Sequence, residues 1–473
     1  MENKYSQNGA EDSGMTNFKF QISNFKFQKL AVVILLLLSF LFTNLAWAQE
    51  SVGQPTINPS LLDVVLQARD KLLDEVSAEF ASGKKFTVVK SKNVTLEVTL
   101  ALWRENTNEV KYVKAKKTSK TITALDNSGY IFKLKRDNGV NSDIEVASDL
   151  TTHVVAIKHP VFISIGTTKK PQYRLEPAVY VPYSSFLNTP EIAAAGEKYI
   201  SDNITAVYDE LKNTRARSLA YPKILLAEAI DPALVKSIIA IEHVSASALI
   251  SGDALDYLST FHVILATNRN LSYSYSRSTA SAFGIVQFIP STYKSVRKIR
   301  ADLLLNPSFD QGMADPYNAI KAQVALLDYN LASMPKVLRQ KYENNPKLLG
   351  AYLSAVYNGG PTRVNRAMNY WGEDWAEDQT TRLANLKKQE LAAKSEVKNL
   401  TKALAKKGLT MVERKKLEAQ KKEANALAKQ LAAKYASGNQ AKLKNETRLY
   451  VAKYRLVYDH FAKSYGNIAF FNL

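Results

Sequence analysis

A glutamate at the end of an apolar helix is the residue of this sequence best suited to acid–base chemistry. The run 234–241 is predicted to form an apolar helix, and Glu242 follows it directly, at the edge of a core. Apolar surroundings disfavour the ionised carboxylate and raise its pKa, which is what a general acid at neutral pH requires. Glu242 is therefore a candidate acid and base, although a structural glutamate at the rim of a core fits the same pattern.

Three further blocks of the sequence carry polar groups in turns and at helix ends. The first is a turn of small residues with Gly284 and an internal Gln287, and the second is a helix that starts at Asp315-Pro316. In the third, an apolar helix ends in Tyr357-Asn358-Gly-Gly, a helix stop that exposes polar groups at the break. With these blocks in the same chain, the catalytic interpretation of Glu242 is favoured over the structural one.

In this order, the blocks resemble the soluble lytic transglycosylase family of the lysozyme-like superfamily. That family has a Glu-Ser pair, a Gly-Leu-Met-Gln turn, an Ala-Tyr-Asn-Ala-Gly-Pro break and a final helix marked Glu-Thr-Arg-x-Tyr-Val. The corresponding segments of this chain are Glu242-His243, Gly284-Ile285-Val286-Gln287, Val356-Tyr357-Asn358-Gly359-Gly360-Pro361 and Glu446-Thr447-Arg448-Leu449-Tyr450-Val451. Each motif alone is a weak indication, and four in the same order are a strong one.

The resemblance implies a reaction that needs one carboxyl group. In the family, a glutamic acid protonates the glycosidic oxygen between N-acetylmuramic acid and N-acetylglucosamine of peptidoglycan. The same carboxylate then takes the proton of the sugar's own C6 hydroxyl, and a 1,6-anhydro ring closes. Glycosidases that act through two carboxyl groups need a partner at a set distance, whereas here Glu242 would take both proton-transfer roles.

The resemblance also implies which residues surround Glu242 in a sugar cleft: Gly284, Gln287, Tyr357, Asn358, Glu446 and Tyr450. Tyr357 is expected to hydrogen-bond the glutamate and position it, and Asn358 is expected to hold the loop or the substrate. No metal site is expected, because the chain has no cysteine and its five histidines lack paired ligand spacing. The reaction implied by the resemblance needs no cofactor.

The chain departs from the family pattern at three points. His243 stands where the family has serine, and Ile285-Val286 replace Leu-Met. The step from Glu242 to Gly284 is longer than expected and includes a stretch rich in Ser and Tyr at 271–277, which predicts either a lid over the cleft or a disordered insertion.

Three alternatives to a transglycosylase remain open from the residues. A hydrolytic muramidase on the same fold would need a second carboxyl group to activate water, and Asp253, Asp256 and Asp315 are available, although Asp315 is more simply a helix cap. A non-catalytic wall-binding or scaffold protein and a membrane-active basic protein are the other two.

The elements that must position these residues predict an α+β multi-domain fold. A small antiparallel β domain precedes a mainly α-helical, lysozyme-like catalytic domain, into which an antiparallel helical hairpin is inserted. The predicted segments are an amphipathic helix at 54–84, the β-rich domain at 85–188, a helical connector at 189–220, the catalytic domain at 221–372 and 446–465, and the hairpin at 376–445.

The positive charge of the chain is concentrated in the predicted hairpin. The net charge is +19, and residues 376–445 hold 17 Lys and Arg against 7 Asp and Glu, about half of that excess. A solvated helix face explains such a segment, and attraction to an anionic wall polymer or membrane surface is the alternative.

The N-terminus has the features of a signal peptide spanning residues 1–48. Lys29 precedes an uncharged run at 30–42, which is shorter than a membrane span, and Ala46-Trp-Ala48 fits a cleavage site after Ala48. The sequence therefore predicts an exported protein of the periplasm or cell envelope. Peptidoglycan is the expected partner and nucleic acid is not, and no oligomeric state is indicated.

Overall fold

The computed structural model describes residues 59–167, 169–244, 254–275, 277–278 and 280–464. The predicted signal peptide, residues 1–48, lies outside the described residues. The sheet and the helices described below belong to one compact unit, Ser60–Leu473. Within the described residues, no helix combines the length and the apolar character that crossing a membrane requires.

The first helix, α1 (Leu61–Ala81), packs its apolar face on a β sheet. It begins at a capping box in which the side chain of Ser60 accepts a hydrogen bond from the backbone of Asp63 and the carboxylate of Asp63 returns one to Ser60. Val65 and Leu72 on its buried face share a core with the sheet. Helix α1 therefore covers one side of the strands that follow.

Eight strands form the β region, in which all neighbouring pairs are antiparallel. They are β1 (Val88–Val89), β2 (Leu96–Arg104), β3 (Glu109–Lys117), β4 (Ile122–Ala124), β5 (Phe132–Arg136), β6 (Asp143–Val146), β7 (Thr152–Ser164) and β8 (Tyr173–Tyr180). Six of them form one sheet in the order β1-β8-β7-β2-β3-β4, and β5 pairs with β6 separately.

The six-stranded sheet is buried on both faces at its central strand β2. In β2, Leu100 and Leu102 point into the core that contains Phe132 and Val146 of the β5–β6 pair. Ala101, between them, points to the opposite core with α1. Successive side chains of a strand alternate between faces, and this explains why the middle of β2, Leu100 to Trp103, is continuously apolar.

Helices make up the rest of the described chain. They are α2 (Pro190–Asn213), α3 (Leu226–Ala229), α4 (Pro232–His243), α5 (Ala254–Asn268), α6 (Pro290–Ile299), α7 (Phe309–Ala314), α8 (Pro316–Ala332), α9 (Lys336–Tyr342), α10 (Pro346–Gly359), α11 (Pro361–Trp371), α12 (Gln379–Leu404), α13 (Met411–Gln440) and α14 (Asn445–Ser464). The α+β multi-domain arrangement predicted from the sequence is confirmed.

Helix α4 lies at the centre of the helical core. Every residue from Pro232 to Ile241 is buried, and α10 and α14 both pack against this helix or its neighbours. Asp231 caps its N-terminus and also accepts a hydrogen bond of 2.6 Å from the hydroxyl of Tyr458 on α14. The helix that carries Glu242 is therefore held along its whole length.

Helix α5 joins the helical core to the β region. Val263 and Ala266 of α5 lie in the same core as α1 and the sheet. At its end, the Asn268 side chain donates to the Val181 carbonyl oxygen at 3.0 Å and accepts from the Val181 backbone N–H at 2.8 Å. Two polar contacts and an apolar face thus fix α5 against the chain that leaves β8.

Helices α12 and α13 pack on each other as a hairpin. Ala393, Ala428 and Leu431 form the small apolar core between them. Glu390 is a buried carboxylate of α12 that forms ion pairs of 2.8 and 2.6 Å with Lys387 and Lys394 on its own helix. Its charge is therefore compensated within α12.

Candidate active site

Glu242 lies in the last turn of α4 and is half-buried. Its Oε1 accepts a hydrogen bond of 2.6 Å from the hydroxyl of Tyr450 on α14. Burial raises the pKa of Glu242 to about 7, against the opposing effects of the Tyr450 hydrogen bond and the Lys453 ammonium group, which lower it. At neutral pH this carboxyl group is therefore divided between its protonated and ionised forms.

Lys453 is a neighbour of Glu242 that the sequence interpretation missed. Its Nζ donates to the carbonyl oxygen of Ile241 at 3.0 Å and also to that of Val244, at the end of α4. A cation at a helix C-terminus stabilises the unpaired carbonyl groups there. The available signal was spacing, because Lys453 follows Tyr450 by three residues and so lies on the same face of α14.

His243 braces the loop beside the site. Its Nε2 lies 2.8 Å from the carbonyl oxygen of Ile285, so this nitrogen carries the proton and donates it. The ring stacks on Tyr273 with 3.5 Å between ring centroids. Burial lowers the pKa of His243 to about 4, so the ring is neutral at pH 7. The histidine that replaces serine thus connects the glutamate helix to the Gly284–Gln287 turn.

The turn at 284–287 depends on a glycine. Gly284 has φ of 74°, and a Cβ atom at this position would overlap the backbone carbonyl of Met313. Gln287 also has positive φ, 50°, and its Nε2 donates to the Gly284 carbonyl oxygen at 2.8 Å. The amide of Gln287 thus closes the turn on itself.

The hydrogen bond to Glu242 that was expected of Tyr357 is made by Tyr450. Tyr357 was predicted to hydrogen-bond Glu242, but its hydroxyl donates to the carbonyl oxygen of Val286 at 2.6 Å. Tyr450 makes the bond to Glu242 instead. The physical reason is that α14 carries Tyr450 directly over the end of α4, whereas the hydroxyl of Tyr357 reaches the glycine turn.

Asn358 and Glu446 have supporting positions. The Asn358 Oδ1 accepts a hydrogen bond of 2.8 Å from Thr447 Oγ1, which ties the end of α10 to α14. Glu446 is exposed, and its negative charge contributes to raising the pKa of Glu242. That Asn358 holds the loop or the substrate stays a prediction.

A cleft of about 770 Å³ opens beside Glu242. From the helical side it is lined by Glu242, His243 and Gln287, together with residues of the 273–277 segment. Of the predicted site residues, Glu242 and Gln287 line it, whereas Tyr450 lies behind the glutamate. Among the described residues that line the cleft, Glu242 alone carries a carboxyl group.

The stretch rich in Ser and Tyr differs from both of its predicted forms. Tyr273 stacks on His243, and Tyr275 packs edge-on against Tyr180 of β8, with 6.2 Å between centroids. The Ser272 hydroxyl donates to the Ile264 carbonyl oxygen at 3.1 Å. These residues form a packed wall rather than a lid or a loose insertion, because their rings fill the joint between sheet and helices.

Of the carboxyl groups considered for hydrolysis, the two that the structure describes, Asp256 and Asp315, do not line the cleft. Asp315 accepts a hydrogen bond of 3.0 Å from the Tyr317 backbone and caps α8. Asp256 is exposed on α5, and Asp253 lies outside the described residues. The described part of the cleft thus offers acid–base chemistry through one carboxyl group.

Comparison with known proteins bears on the helical part of the chain. Residues 223–379 match the family model described as the transglycosylase SLT domain, about a third of the chain. The match includes Glu242, the glycine turn and the Tyr357-Asn358 break, but it leaves the β region and α14 unmatched. Neither a curated protein nor a solved structure matches the chain. The match at residues 223–379 is consistent with the lytic transglycosylase family of lysozyme-like proteins that the motifs resemble.

Proposed function

We propose that the protein is an exported lytic transglycosylase that cuts peptidoglycan between N-acetylmuramic acid and N-acetylglucosamine and leaves 1,6-anhydro ends. The matched domain supports peptidoglycan as the substrate in general terms. The observation that carries the specific reaction is a cleft whose described lining contains one carboxyl group, Glu242, with a pKa of about 7. Such a group is suited to give and then regain a proton at neutral pH.

The proposed reaction is balanced with Glu242 as the one proton carrier. Protonated Glu242 gives its proton to the glycosidic oxygen, and the bond from that oxygen to C1 of N-acetylmuramic acid breaks. The C6 hydroxyl oxygen of the same sugar then bonds to C1, and its proton returns to the Glu242 carboxylate. No water is consumed, and the glutamate ends in the form in which it began.

Tyr450 and Lys453 support the ionised stage of this cycle. The Tyr450 hydroxyl donates to the carboxylate, and the Lys453 ammonium group lies at the end of the same helix. Both lower the pKa of Glu242, whereas burial raises it. These opposing effects leave the pKa of Glu242 at about 7, so that at neutral pH the group can both donate a proton and take one back.

Mass spectrometry of the muropeptides released by the mature protein tests the proposal. The wild type should release 1,6-anhydro ends, Glu242→Gln should release none, and Asp256→Asn, a matched carboxyl change outside the cleft, should act like the wild type. Reducing ends from the wild type would favour a hydrolytic muramidase. Equal clearing of peptidoglycan by the wild type and Glu242→Gln would favour a non-catalytic wall-binding or scaffold protein.

The basic hairpin is proposed to attach the enzyme to an anionic surface. Residues 402–416 around its tip hold six Lys and Arg and one acid, Glu413, which is engaged in a capping box with Thr410. Met411 and Val412 at the tip are 75% and 78% exposed. Exposed apolar side chains among cations fit an anionic lipid surface better than a soluble polymer.

Vesicle sedimentation tests this attachment. The mature protein should bind vesicles with anionic lipid and not purely zwitterionic ones, and Met411→Ser with Val412→Ser should weaken binding. Equal binding to both kinds of vesicle would contradict it.

The peptidoglycan substrate indicates a location outside the cytoplasm. Cleavage of the signal peptide after Ala48 is the matching prediction, and N-terminal sequencing of the mature protein checks it.

A further inference from the structure

The cleft at Glu242 has a second wall that belongs to the β region. Eleven of its eighteen lining residues come from the β region: Lys92, Asn138, Gly139, Val140, Asn141, His159, Pro160, Val161, Phe162, Ile163 and Tyr180. This region lies outside the matched transglycosylase domain, which begins at residue 223. A substrate in the cleft would therefore contact a part of the chain to which no function is assigned.

The β wall is held in a fixed position relative to Glu242. The side chain of Asn268 on α5 makes two hydrogen bonds with the backbone of Val181, just after β8. Tyr180 of the β wall packs against Tyr275 of the opposite wall. The Asn141 side chain accepts a hydrogen bond of 2.8 Å from the Tyr183 backbone. Because the Asn268 and Tyr275 contacts join the helical side to the β region, packing sets the distance between the two walls.

The chemistry of the β wall is that of a binding surface. Val161 and Phe162 offer half-buried apolar area at the end of β7, and Asn138 offers an exposed amide beside it. Apolar area with a few polar groups is the usual composition of a site that binds an organic ligand. The wall contains no carboxyl group among its described lining residues, so it complements neutral or anionic ligands rather than cationic ones.

The cationic side chains that line the cleft indicate which charge a ligand would carry. Its described lining has two permanent cations, Arg277 and Lys92. Arg277 is paired with Asp310 at 2.6 Å. Lys92 has no carboxylate within ion-pair distance among the described residues, and its Nζ lies 5.0 Å from the ring centroid of Tyr173. An exposed ammonium group at the edge of a binding surface, free of a carboxylate partner, is suited to pair with an anion from solution.

We propose that the β wall binds the peptide-bearing part of the peptidoglycan strand, with Lys92 pairing with a carboxylate of the peptide stem. This inference rests on the proposed function, since it assigns the β wall to the same substrate. Glycan sugars supply neutral rings for the apolar area near Phe162, and their peptide stems supply the anionic groups. The β wall would thereby select strands that carry stems over strands from which the stems have been removed.

A binding experiment on the full mature chain tests the inference separately from catalysis. The Glu242→Gln protein binds purified peptidoglycan without cutting it, and sedimentation gives its Kd for intact peptidoglycan and for glycan strands stripped of stems by an amidase. Adding Lys92→Gln should weaken binding to intact peptidoglycan roughly five-fold, the upper range for an exposed ion pair, and leave binding to stripped strands unchanged. The matched control is Lys120→Gln, another exposed lysine, which does not line the cleft and should change neither value.

Other outcomes overturn the inference in distinguishable ways. Equal binding of intact and stripped strands by the Glu242→Gln protein, or equal weakening by Lys92→Gln and Lys120→Gln, shows that the β wall does not recognise stems. Either result leaves the proposed function standing if the wild type still releases 1,6-anhydro ends. A wild type that neither binds nor cuts peptidoglycan overturns both. The Lys92 effect should also shrink at high salt, because exposed ion pairs are screened.

Discussion

Two carboxyl groups in the helical part of the molecule are removed from solvent to different degrees and have different surroundings. Asp328 on α8 is fully buried and accepts hydrogen bonds from the Ser218 hydroxyl at 2.5 Å, the Leu219 backbone at 2.7 Å and the Arg300 guanidinium at 3.1 Å. Glu242 accepts one hydrogen bond among the described residues, from Tyr450, and its other side meets the cleft.

The difference separates a structural carboxyl group from one suited to chemistry. Burial raises the pKa of both groups, and for Asp328 several hydrogen bonds and the Arg300 charge oppose the rise. A buried polar group with all its partners in place rigidifies the fold. A carboxyl group with one partner and an open side can exchange its proton with a ligand, and so the count of satisfied partners is more informative than burial itself.

The largest effect should come from removing the Glu242 proton. Glu242→Gln should lower kcat by about 10³-fold, within the usual range for loss of a general acid–base group. The same change should not destabilise the fold. The assignment would be reversed if Glu242→Gln lost little activity and Asp328→Asn abolished turnover in the folded protein. Asp328 would then be the catalytic carboxyl group and Glu242 the structural one.

The difference in stability between Glu242→Gln and the wild type should depend on pH. An unfolded glutamate ionises near pH 4.5, whereas Glu242 in the folded protein keeps its proton up to about pH 7. The wild type therefore loses stability as pH rises through this window, by up to roughly 3 kcal/mol, and Gln does not titrate. The gap in unfolding free energy between Glu242→Gln and the wild type should grow between about pH 4 and about pH 8, as measured by chemical denaturation.

The next effect should fall on stability alone. Asp328→Asn removes the charge opposite Arg300, which is 2% exposed and then keeps, among the described residues, the exposed Asp302 as its one acidic partner. Breaking a buried pair in this way should cost about 3 kcal/mol of unfolding free energy. Activity of the folded fraction should stay near that of the wild type. If the Asp328→Asn variant is as stable as the wild type, the Asp328 carboxyl group does not have a structural role.

A smaller effect should distinguish the two tyrosines. Tyr450→Phe removes the hydrogen bond that lowers the pKa of Glu242, so that pKa should rise and activity should fall about ten-fold, as expected for a hydrogen bond to a charged group. The alkaline limb of the kcat/KM profile, where Glu242 loses its proton, should move to higher pH. The matched control is Tyr357→Phe, whose hydroxyl binds the Val286 carbonyl and which should leave the limb in place.

The smallest effect should come from Lys453. Lys453→Met removes a cation from the end of α4 and should lower the unfolding free energy by about 1 kcal/mol. It should also raise the pKa of Glu242, because the ammonium group lowers it. Lys453→Arg keeps the charge and should retain most of the wild-type pH profile. A profile unchanged by Lys453→Met would limit this residue to a structural role.

Local sequence patterns predicted the elements better than the contacts between them. The apolar run before Glu242 depends on neighbouring residues, and the structure has α4 at this place. Which tyrosine reaches Glu242 depends on the approach of α14 to α4, two elements about 200 residues apart in the chain. No spacing rule specifies that approach, and the prediction for Tyr357 was wrong for this reason.

The second wall of the cleft was beyond prediction for the same reason. His159 and Phe162, within β7, show no periodicity that relates them to Glu242. Their placement follows from α5, whose residues Val263 and Ala266 pack on the sheet and bring both regions to one cleft. The long step from Glu242 to Gly284 was noticed as a departure from the family pattern, and it contains this connecting helix.

The two ends of the basic hairpin meet at a single point. The Gln379 side chain accepts a hydrogen bond of 2.7 Å from the Leu443 backbone, so the start of α12 is joined to the chain that follows α13. With 26 residues rising 1.5 Å each, α12 extends about 40 Å from that point. A tip anchored in a lipid surface would make the hairpin a spacer of constant length, and shortening or lengthening it by whole turns would change which depth of the wall the enzyme can reach.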